Sequence, residues 1–287
     1  MFRTGEGQAR YYAAYDATLS LWSVPVTPLR VATRFGSVHV NDCGPEDAPP
    51  LVLLPGAAIS STMWYPNAAA WSRHYRLLAV DLIGDMGKSV RTRPLARPAD
   101  QVDWLCDLFD GLGIARSHLA GISLGGALAL SLAVSAPERV GKLVLLSPAM
   151  LLPMRPLFYL RVAAAILWPF FSAAARQKLF LGTDSPNAAP MIRQLFTPND
   201  FQYKMALPRA VSSAGLRGLS AETLLLLGEH EVIYDPRAAL KRASTLIPHL
   251  QAEIIPGAGH ALNIDQPEIV NRRVLEFLSA GADLFHE

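Results

Sequence analysis

Apolar and polar positions along the chain follow two alternating patterns. Short runs rich in Leu, Val and Ile predict strands, and longer segments with apolar residues at helical spacing predict helices. The predicted strands are residues 31–34, 38–41, 51–54, 77–81, 117–120, 143–147, 223–227 and 252–255. The predicted helices are residues 99–112, 124–135, 236–246 and 267–278.

The order of these elements predicts an α/β fold. The first two strands flank Gly36 and indicate a hairpin. Several later strands are uninterrupted apolar runs separated by helices, which is typical of parallel strands whose sheet is covered on both faces. We therefore expect a doubly wound, mostly parallel sheet of eight strands flanked by helices. In such a sheet, reactive side chains are expected in the loops at the carboxyl ends of the strands.

The segment between the strands at 143–147 and 223–227 differs in composition from the rest. It carries many aromatic and methionine side chains: Met150, Met154, Phe158, Tyr159, Trp168, Phe170, Phe171, Met191, Phe196, Phe201, Tyr203 and Met205. We expect an α/β core at residues 1–147 with an N-terminal extension, a helical cap insertion at 148–220, and the rest of the core at 221–287. A cap over the strand ends encloses an apolar pocket that selects hydrophobic acyl or alcohol groups, although most such side chains typically just pack the cap against the core.

Composition and charge limit the partners of the chain. Of its 287 residues 51% are hydrophobic, which is enough to bury a core and excludes a disordered chain. The 26 Lys and Arg against 24 Asp and Glu give a net charge of +2, so no footprint for nucleic acid or anionic lipid is present. Cys43 and Cys106 are too few for a disulfide framework. We expect a small, mostly uncharged partner and a cytoplasmic location; the oligomeric state is not indicated.

Neither a signal peptide nor a membrane anchor is expected. Residues 1–20 include charged side chains and lack the continuous apolar run of a signal peptide. The longest apolar stretch, residues 162–175, is too short to span a bilayer and is interrupted by Pro169 and Ser172. This stretch predicts a buried or surface helix.

A candidate nucleophile lies between a predicted strand and a predicted helix. The strand at 117–120 continues into Gly121-Ile122-Ser123-Leu124-Gly125, which matches the strand, sharp turn and helix of a nucleophile elbow. Glycine is needed on both sides of the turn because the backbones there approach their neighbours closely. The alternative is a packing turn of small residues. We expect an exposed Ser123 hydroxyl at the tip of the turn.

A serine hydroxyl needs a base, normally a histidine oriented by a carboxylate. His260 follows the last strand through the loop 256–259, which is where the histidine of this architecture occurs in chain order. The structural or solvent-exposed interpretation is expected for His39, His74, His118, His249 and His286. The loop after the strand 223–227 offers Glu229, Glu231 and Asp235 as the acid. Asp235 precedes Pro236 and suits a helix N-cap, so we assign Glu231 and retain Asp235 as the alternative acid.

Acyl transfer also needs hydrogen-bond donors for the tetrahedral oxyanion. In this architecture they are the amide after the nucleophile and an amide in an early strand-to-helix loop, which correspond to Leu124 and Ala57. The loop 54–58 follows an apolar strand, and its alternative interpretation is an ordinary Pro-Gly turn.

Three local motifs that would indicate nucleotide or metal chemistry are incomplete. Residues 84–89 end like a phosphate loop, but Leu82 stands where the first glycine is required. In residues 121–126, Ser123 occupies the second glycine position of the dinucleotide fingerprint. His230 and Glu231 lack the second histidine of a zinc-protease motif. We expect neither a cofactor nor a metal.

These residues resemble the α/β-hydrolases, with Ser123, Glu231 and His260 matching nucleophile, acid and histidine in order. Further segments look like the bacterial carboxylesterase NP group: residues 34–36 with His39, 44–50, 61–67, 83–85 and 228–236. The resemblance implies an α/β-hydrolase fold, hydrolysis of carboxylic esters including bulky aryl-propionate esters, no cofactor, and glutamate as the acid. One departure is Pro55-Gly56, where the group usually has His-Gly. Proline removes one N–H and one polar side chain from the oxyanion loop.

The residues and the resemblance together predict a serine carboxylesterase that hydrolyses hydrophobic esters through an acyl-enzyme on Ser123. One alternative keeps the triad but acts on a lactone, a thioester or a carbon–carbon bond, or transfers acyl groups in biosynthesis. Another is a noncatalytic protein that binds a small molecule in the same pocket. An aspartate-nucleophile enzyme is disfavoured because position 123 is serine.

Overall fold

The structure, a computed structural model, describes residues 2–167, 171–203 and 208–280. Within these ranges nine strands form one sheet. They are β1 (Thr27–Thr33), β2 (Gly36–Cys43), β3 (Pro50–Leu54), β4 (Arg76–Val80), β5 (Val90–Arg91), β6 (Ser117–Ile122), β7 (Val140–Leu146), β8 (Thr223–Gly228) and β9 (Leu250–Ile255). The spatial order is β1-β2-β4-β3-β6-β7-β8-β9, with β5 paired to β2. The pairs that β2 forms with β1, β4 and β5 are antiparallel, and the five other strand pairs are parallel. The sheet is therefore mostly parallel.

The predicted fold class is confirmed, with one correction to the strand count. Each of the eight predicted runs falls on one strand of the continuous path, and the hairpin around Gly36 is present. The ninth strand, β5, lies outside the eight predicted runs. Two residues carry no periodicity, so β5 exists only through its pairing with Gly36 and Ser37 of β2.

Eleven helices lie in the described residues. They are α1 (Gly5–Leu19), α2 (Ala68–Trp71), α3 (Asp100–Gly111), α4 (Leu124–Ser135), α5 (Pro156–Leu167), α6 (Ala173–Leu181), α7 (Ala189–Leu195), α8 (Ser213–Arg217), α9 (Pro236–Leu246), α10 (Leu262–Asp265) and α11 (Pro267–Ser279). Short 3-10 turns cover Ser61–Trp64, Pro137–Arg139 and Pro186–Ala188. The four predicted helices correspond to α3, α4, α9 and α11. Helix α1 was not predicted, because its buried positions are Gly7, Tyr11, Tyr15 and Thr18 and show no aliphatic stripe.

Two apolar layers cover the two faces of the sheet. Alternate residues of β3 point to opposite sides, so Val52 and Leu54 belong to one buried cluster and Leu51 and Leu53 to the other. Helices α3, α4 and α9 contribute to the first cluster, and α2, α10 and α11 to the second. The central strands are therefore buried on both sides, which explains their uninterrupted apolar sequences.

Helices α5 to α8 lie between β7 and β8, in the segment expected to form a cap. The apolar stretch 162–175 is divided between α5 and α6, and its central residues 168–170 lie outside the described residues, as does Met205. The expected single helix is therefore wrong: α6 begins anew at Ala173, where the Ser172 side chain caps it. None of the helices in the described ranges has the length and apolarity needed to cross a bilayer.

Candidate active site

Ser123 occupies the turn between β6 and α4 with a backbone conformation that L-residues rarely adopt, at φ 53° and ψ −117°. Three backbone hydrogen bonds hold it there: its N–H donates to Leu146, and its carbonyl accepts from Ala127 and Ala149. Strained conformations of this kind persist only where the surroundings enforce them, and they concentrate at functional sites.

The glycines on both sides of Ser123 are required by the packing of the turn. A Cβ at Gly121 would lie 2.4 Å from the carbonyl oxygen of Gly125, and a Cβ at Gly125 would lie 2.1 Å from that of Leu54. Both distances are far below any real Cβ contact. The motif therefore places the end of β3, the elbow and the first turn of α4 in direct contact.

His260 and Glu231 are joined by a hydrogen bond. The His260 Nδ1 atom lies 2.8 Å from Oε2 of Glu231, and the Glu231 side chain is completely buried. The other carboxylate oxygen accepts the amide of Ile233 at 2.8 Å. Burial alone would raise the pKa of Glu231, but the charge and hydrogen bond of His260, with hydrogen bonds from Ile233 and Ser147, outweigh it and lower the pKa. The carboxylate is thus suited to orient the imidazole and to stabilise its protonated form.

Asp235, the alternative acid, lies elsewhere. Its side chain accepts the amide of Ala238 at 2.9 Å and caps α9, with Pro236 in the first turn. It also forms an ion pair with Arg155 at 2.7 Å. The N-cap predicted from the Asp-Pro pair is confirmed. Glu229, the third acid of this loop, is half-exposed and accepts the amide of Gly257.

The loop that carries His260 is held by Asp265, a residue that sequence reasoning missed. Oδ2 of Asp265 accepts the amide of Gly259 at 2.8 Å and the hydroxyl of Thr183 at 2.8 Å. Burial raises the pKa of Asp265, although these hydrogen bonds and the charge of His260 oppose the rise. An aspartate five residues after the histidine is the only signal in the sequence. It does not distinguish a buried anchor from a surface charge.

The two expected oxyanion donors lie on either side of the elbow. Leu124 is the first residue of α4. Ala57 belongs to the loop in which Gly56 faces Ser123, where a Cβ at Gly56 would lie 3.5 Å from the serine Cβ. In the described part of the chain neither amide donates a hydrogen bond to a protein acceptor. The next residue, Ala58, has φ 60° and donates its amide to Oδ2 of Asp85 at 2.9 Å. Asp85 was not among the sequence-predicted site residues.

A cavity of about 320 Å³ joins these groups. Ser123, His260 and Ala57 line its floor. Side chains of the segment 148–220 line its wall: Phe158, Val162, Phe180, Leu181, Met191 and Leu195. Of the aromatic and methionine side chains singled out in the sequence, Phe158 and Met191 face the cavity. Phe201 instead packs against Phe2, which precedes α1, and against Tyr203.

The described residues contain no cluster of three His, Cys, Asp or Glu side chains that could hold a metal ion. Two histidines outside the site have structural contacts: His39 pairs with Asn41 at 3.2 Å, and Nδ1 of buried His118 accepts the Lys142 amide at 2.9 Å. Burial, with the nearby charges of Lys142 and Arg116, lowers the pKa of His118 to about 4.

Residues 51–273 match the profile of the alpha/beta hydrolase family. The chain is 43% identical over 281 residues to an uncharacterized carboxylesterase, nap, of Bacillus subtilis (strain 168), a match that spans 94% of this chain and 93% of that relative. Its fold is similar to the crystal structure of carboxylesterase CesB (YbfK) from Bacillus subtilis, with 39% identity, a TM-score of 0.88 and coverage of 96% and 99% of the two chains. It is equally similar to naproxen esterase (carboxylesterase NP) from Bacillus subtilis, with 40% identity, a TM-score of 0.88 and coverage of 96% and 100%.

Proposed function

We infer that this chain, which belongs to the alpha/beta hydrolase family, is a serine carboxylesterase. Relatives with about 40% identity over nearly the whole chain carry carboxylesterase names. The alternatives, a lactone, thioester or carbon–carbon hydrolase, an acyltransferase and a noncatalytic binding protein, are not favoured by these relatives.

In the proposed mechanism Ser123 is the nucleophile. Its Oγ attacks the ester carbonyl carbon while Nε2 of His260 accepts the hydroxyl proton, and Glu231 holds the imidazole through Nδ1. The negative charge moves to the carbonyl oxygen, where the amides of Leu124 and Ala57 stabilise it. His260 then gives the proton to the departing alkoxide, which leaves as the alcohol. Water, deprotonated by His260, then attacks the acyl carbon of the acyl-enzyme. The bond from that carbon to Oγ of Ser123 breaks, His260 returns its proton to Oγ, and the acid is released.

The observation that carries this proposal is that Ser123 and the Glu231-bound His260 line one cavity. Within the described residues no hydrogen bond joins the serine hydroxyl to the imidazole. Proton transfer requires a separation of about 2.6 to 3.2 Å, and such catalytic contacts often tighten only when substrate binds.

The substrate class is argued from the cavity wall. Phe158, Phe180, Met191 and their neighbours give an apolar enclosure, and of the lining residues only Ser123 and His260 carry polar side chains. We propose that residues 148–220 act as a cap, that the cavity binds the hydrophobic part of a small ester, and that an aromatic acyl group fits, in keeping with the name of the relative naproxen esterase. We also propose a cytoplasmic location, supported by the unpaired cysteines Cys43 and Cys106.

Substitution of Ser123 tests the proposed function. Ser123→Ala should abolish hydrolysis of p-nitrophenyl esters, and a serine-directed phosphonate should label the unmodified chain once and the variant not at all. The matched control is Ser131→Ala, because Ser131 lies on α4 and, among the residues that the structure describes, its hydroxyl donates only to the carbonyl of Ala127. Persistent turnover by Ser123→Ala would exclude the mechanism.

A further inference from the structure

We propose that Asp85 is a positioning residue for the oxyanion loop: its carboxylate holds the Ala58 amide and thereby keeps the adjacent Ala57 amide directed into the cavity. The proposal rests on the serine mechanism above and assigns no contact between Asp85 and the substrate. It concerns the loop in which Pro55 replaces the histidine usual in the carboxylesterase NP group.

The geometry ties Asp85 directly to this loop. Asp85 is completely buried, and its two oxygens accept one backbone amide each, Oδ2 from Ala58 at 2.9 Å and Oδ1 from Met86 at 2.7 Å. The Ala58 bond crosses between two loops, the one after β3 and the one after β4. The Met86 bond fixes the carboxylate from its own side. Asp85 thus connects two strand ends at the edge of the sheet where the cavity lies.

The loop needs such an anchor because its backbone is strained. Ala58 has φ 60°, in the left-handed region that alanine rarely adopts, and such a conformation persists only where neighbouring groups enforce it. Pro55 has no N–H with which to hold the loop. Among the described residues, the only hydrogen bond from the Ala58 amide is the one to Asp85. That bond fixes the plane of the 57–58 peptide, so only the φ and ψ of Ala57 separate the fixed plane from the Ala57 amide.

The surroundings of Asp85 show that a neutral side chain would be easier to bury. Among the described residues the charge that acts on Asp85 is that of Asp81 in the same loop, and Asp85 in turn raises the pKa of Tyr11 of α1 and of Tyr203 in the segment 148–220. None of them is a cation. Burial raises the pKa of Asp85 to about 7, the charge of Asp81 adds to the rise, and the amides of Met86 and Ala58 oppose it. An ionised carboxylate has an acceptor for both amides, whereas a proton on either oxygen weakens one of them.

Asp85→Asn tests the role, because the amide keeps one acceptor oxygen and turns an NH₂ group toward one of the two backbone amides. We expect kcat for a p-nitrophenyl ester to fall by about 10- to 100-fold, less than the loss of a whole oxyanion donor, with KM within about twofold. The matched control is Asp100→Asn. Asp100 is also buried and accepts two backbone amides, from Ala96 and Arg97, but it lies at the start of α3 and does not line the cavity. Its kcat should be unchanged.

Paired inhibitors separate positioning from a merely structural role. A trifluoromethyl ketone binds as a hemiketal: the Ser123 oxygen adds to the ketone carbon, the proton passes to His260, and the resulting oxyanion faces the Ala57 and Leu124 amides. The matching methyl ketone stays largely unreacted. In Asp85→Asn the inhibition constant of the trifluoromethyl ketone should rise by the same factor as kcat falls, while that of the methyl ketone stays constant. Equal weakening of both ketones, or an unchanged kcat, would overturn the proposal.

A second variant decides the matter if Asp85→Asn does not accumulate as folded protein. Incorporation of the α-hydroxy analogue of alanine at position 58 replaces the amide with an ester and removes the N–H that Asp85 accepts, with every side chain kept. The same loss in kcat and in trifluoromethyl ketone binding is expected, and its absence counts against the role of Asp85. If Ser123→Ala is inactive but Asp85→Asn and the ester variant at position 58 resemble the unmodified enzyme, only the role of Asp85 is overturned. Activity in Ser123→Ala would overturn the serine mechanism itself.

Discussion

The backbone amide of His260 donates a hydrogen bond to the carbonyl of Leu181 at 2.7 Å, so the last residue of α6 is bound directly to the loop that carries the imidazole. The following residues continue this contact: Gly182, at φ 84°, packs on the carbonyl of His230, and Thr183 donates to Asp265. One turn of the segment 148–220 therefore touches both the acid loop and the histidine loop. Changes in this segment are expected to alter catalysis as well as substrate fit.

Gly259→Ala tests this connection. A Cβ at Gly259 would lie 2.0 Å from the carbonyl oxygen of Leu181, so the loop and the end of α6 must separate. We expect a stability loss of about 1 to 3 kcal/mol and a fall in kcat of at least about tenfold, because a small misplacement of a catalytic group costs much rate. Thermal unfolding and ester hydrolysis measure the two effects.

The control for this substitution is Gly5→Ala at the start of α1, where a Cβ meets nothing within 4 Å. Its activity and stability should remain close to those of the unmodified protein. A Gly259→Ala variant as active as Gly5→Ala would show that the contact with α6 does not position His260.

Substitutions of the two candidate acids, Glu231 and Asp235, should have opposite effects on activity and stability. Glu231→Gln keeps the shape but places a donor against Nδ1 of His260, so kcat should fall by about 10³- to 10⁴-fold with KM little changed. Asp235→Ala removes the cap of α9 and should cost about 1 kcal/mol of unfolding free energy, with kcat within about twofold. Ester hydrolysis and urea unfolding of both variants measure these values. The reverse pattern, with Asp235 essential and Glu231 dispensable, would reassign the acid.

The architecture was predictable because its signals are local. The double-faced burial of β3, β6, β7 and β8 leaves apolar runs, and the elbow at Ser123 leaves a glycine pattern that the close backbone approach requires. The proline after Asp235 likewise predicts that Asp235 is the N-cap of a helix, as it is in α9. Each of these features leaves its signal in residues within a few positions of one another, even where the contact behind it is distant.

Features that depend on distant partners were not predictable. Asp85 and Asp265 are isolated acidic residues in sequence, and only the fold brings them to the amide of Ala58 and the hydroxyl of Thr183. Helix α1 escaped prediction because its buried Tyr11 and Tyr15 bond to polar side chains of other elements, Gln194 and Ser61 among them. A helix whose buried face is polar and aromatic shows no apolar stripe. Strand β5 is too short to show any pattern.

Phe158→Ala tests whether Phe158 limits the size of the acyl group that the cavity accepts. Phe158 lines the cavity from α5, and its removal makes room for a larger group. The ratio of kcat/KM for a bulky aryl-propionate ester to that for an acetate ester should rise by about tenfold, in the range that hydrophobic pockets achieve. The control is the neighbouring Tyr159→Ala, since Tyr159 is 60% exposed and is not one of the residues that line the cavity. Equal ratios in the two variants would show that Phe158 does not limit the acyl group.

The buried carboxylate of Asp85 gives the stability of the protein a distinctive pH dependence. Its pKa is raised to about 7 in the folded chain, against about 3.9 when unfolded. Between these two values the folded state holds a proton that the unfolded state has lost. The free energy of unfolding contributed by this group is therefore greatest below about pH 4 and declines as the pH rises toward about 7, by at most about 4 kcal/mol.

Comparison of the unmodified protein with Asp85→Asn isolates this contribution, because the other ionisable groups cancel in the difference. Measured by urea unfolding between pH 5 and 8, the stability of the unmodified protein relative to the variant should decrease up to about pH 7 and then level off. Asp100→Asn is the opposite-sign control: the amide of Arg97 and its guanidinium lower the pKa of Asp100, so its contribution is lost only in acid and should be flat over this range. A flat difference for Asp85→Asn as well would mean that Asp85 is ionised throughout and that its cost of burial is met by its two amide partners.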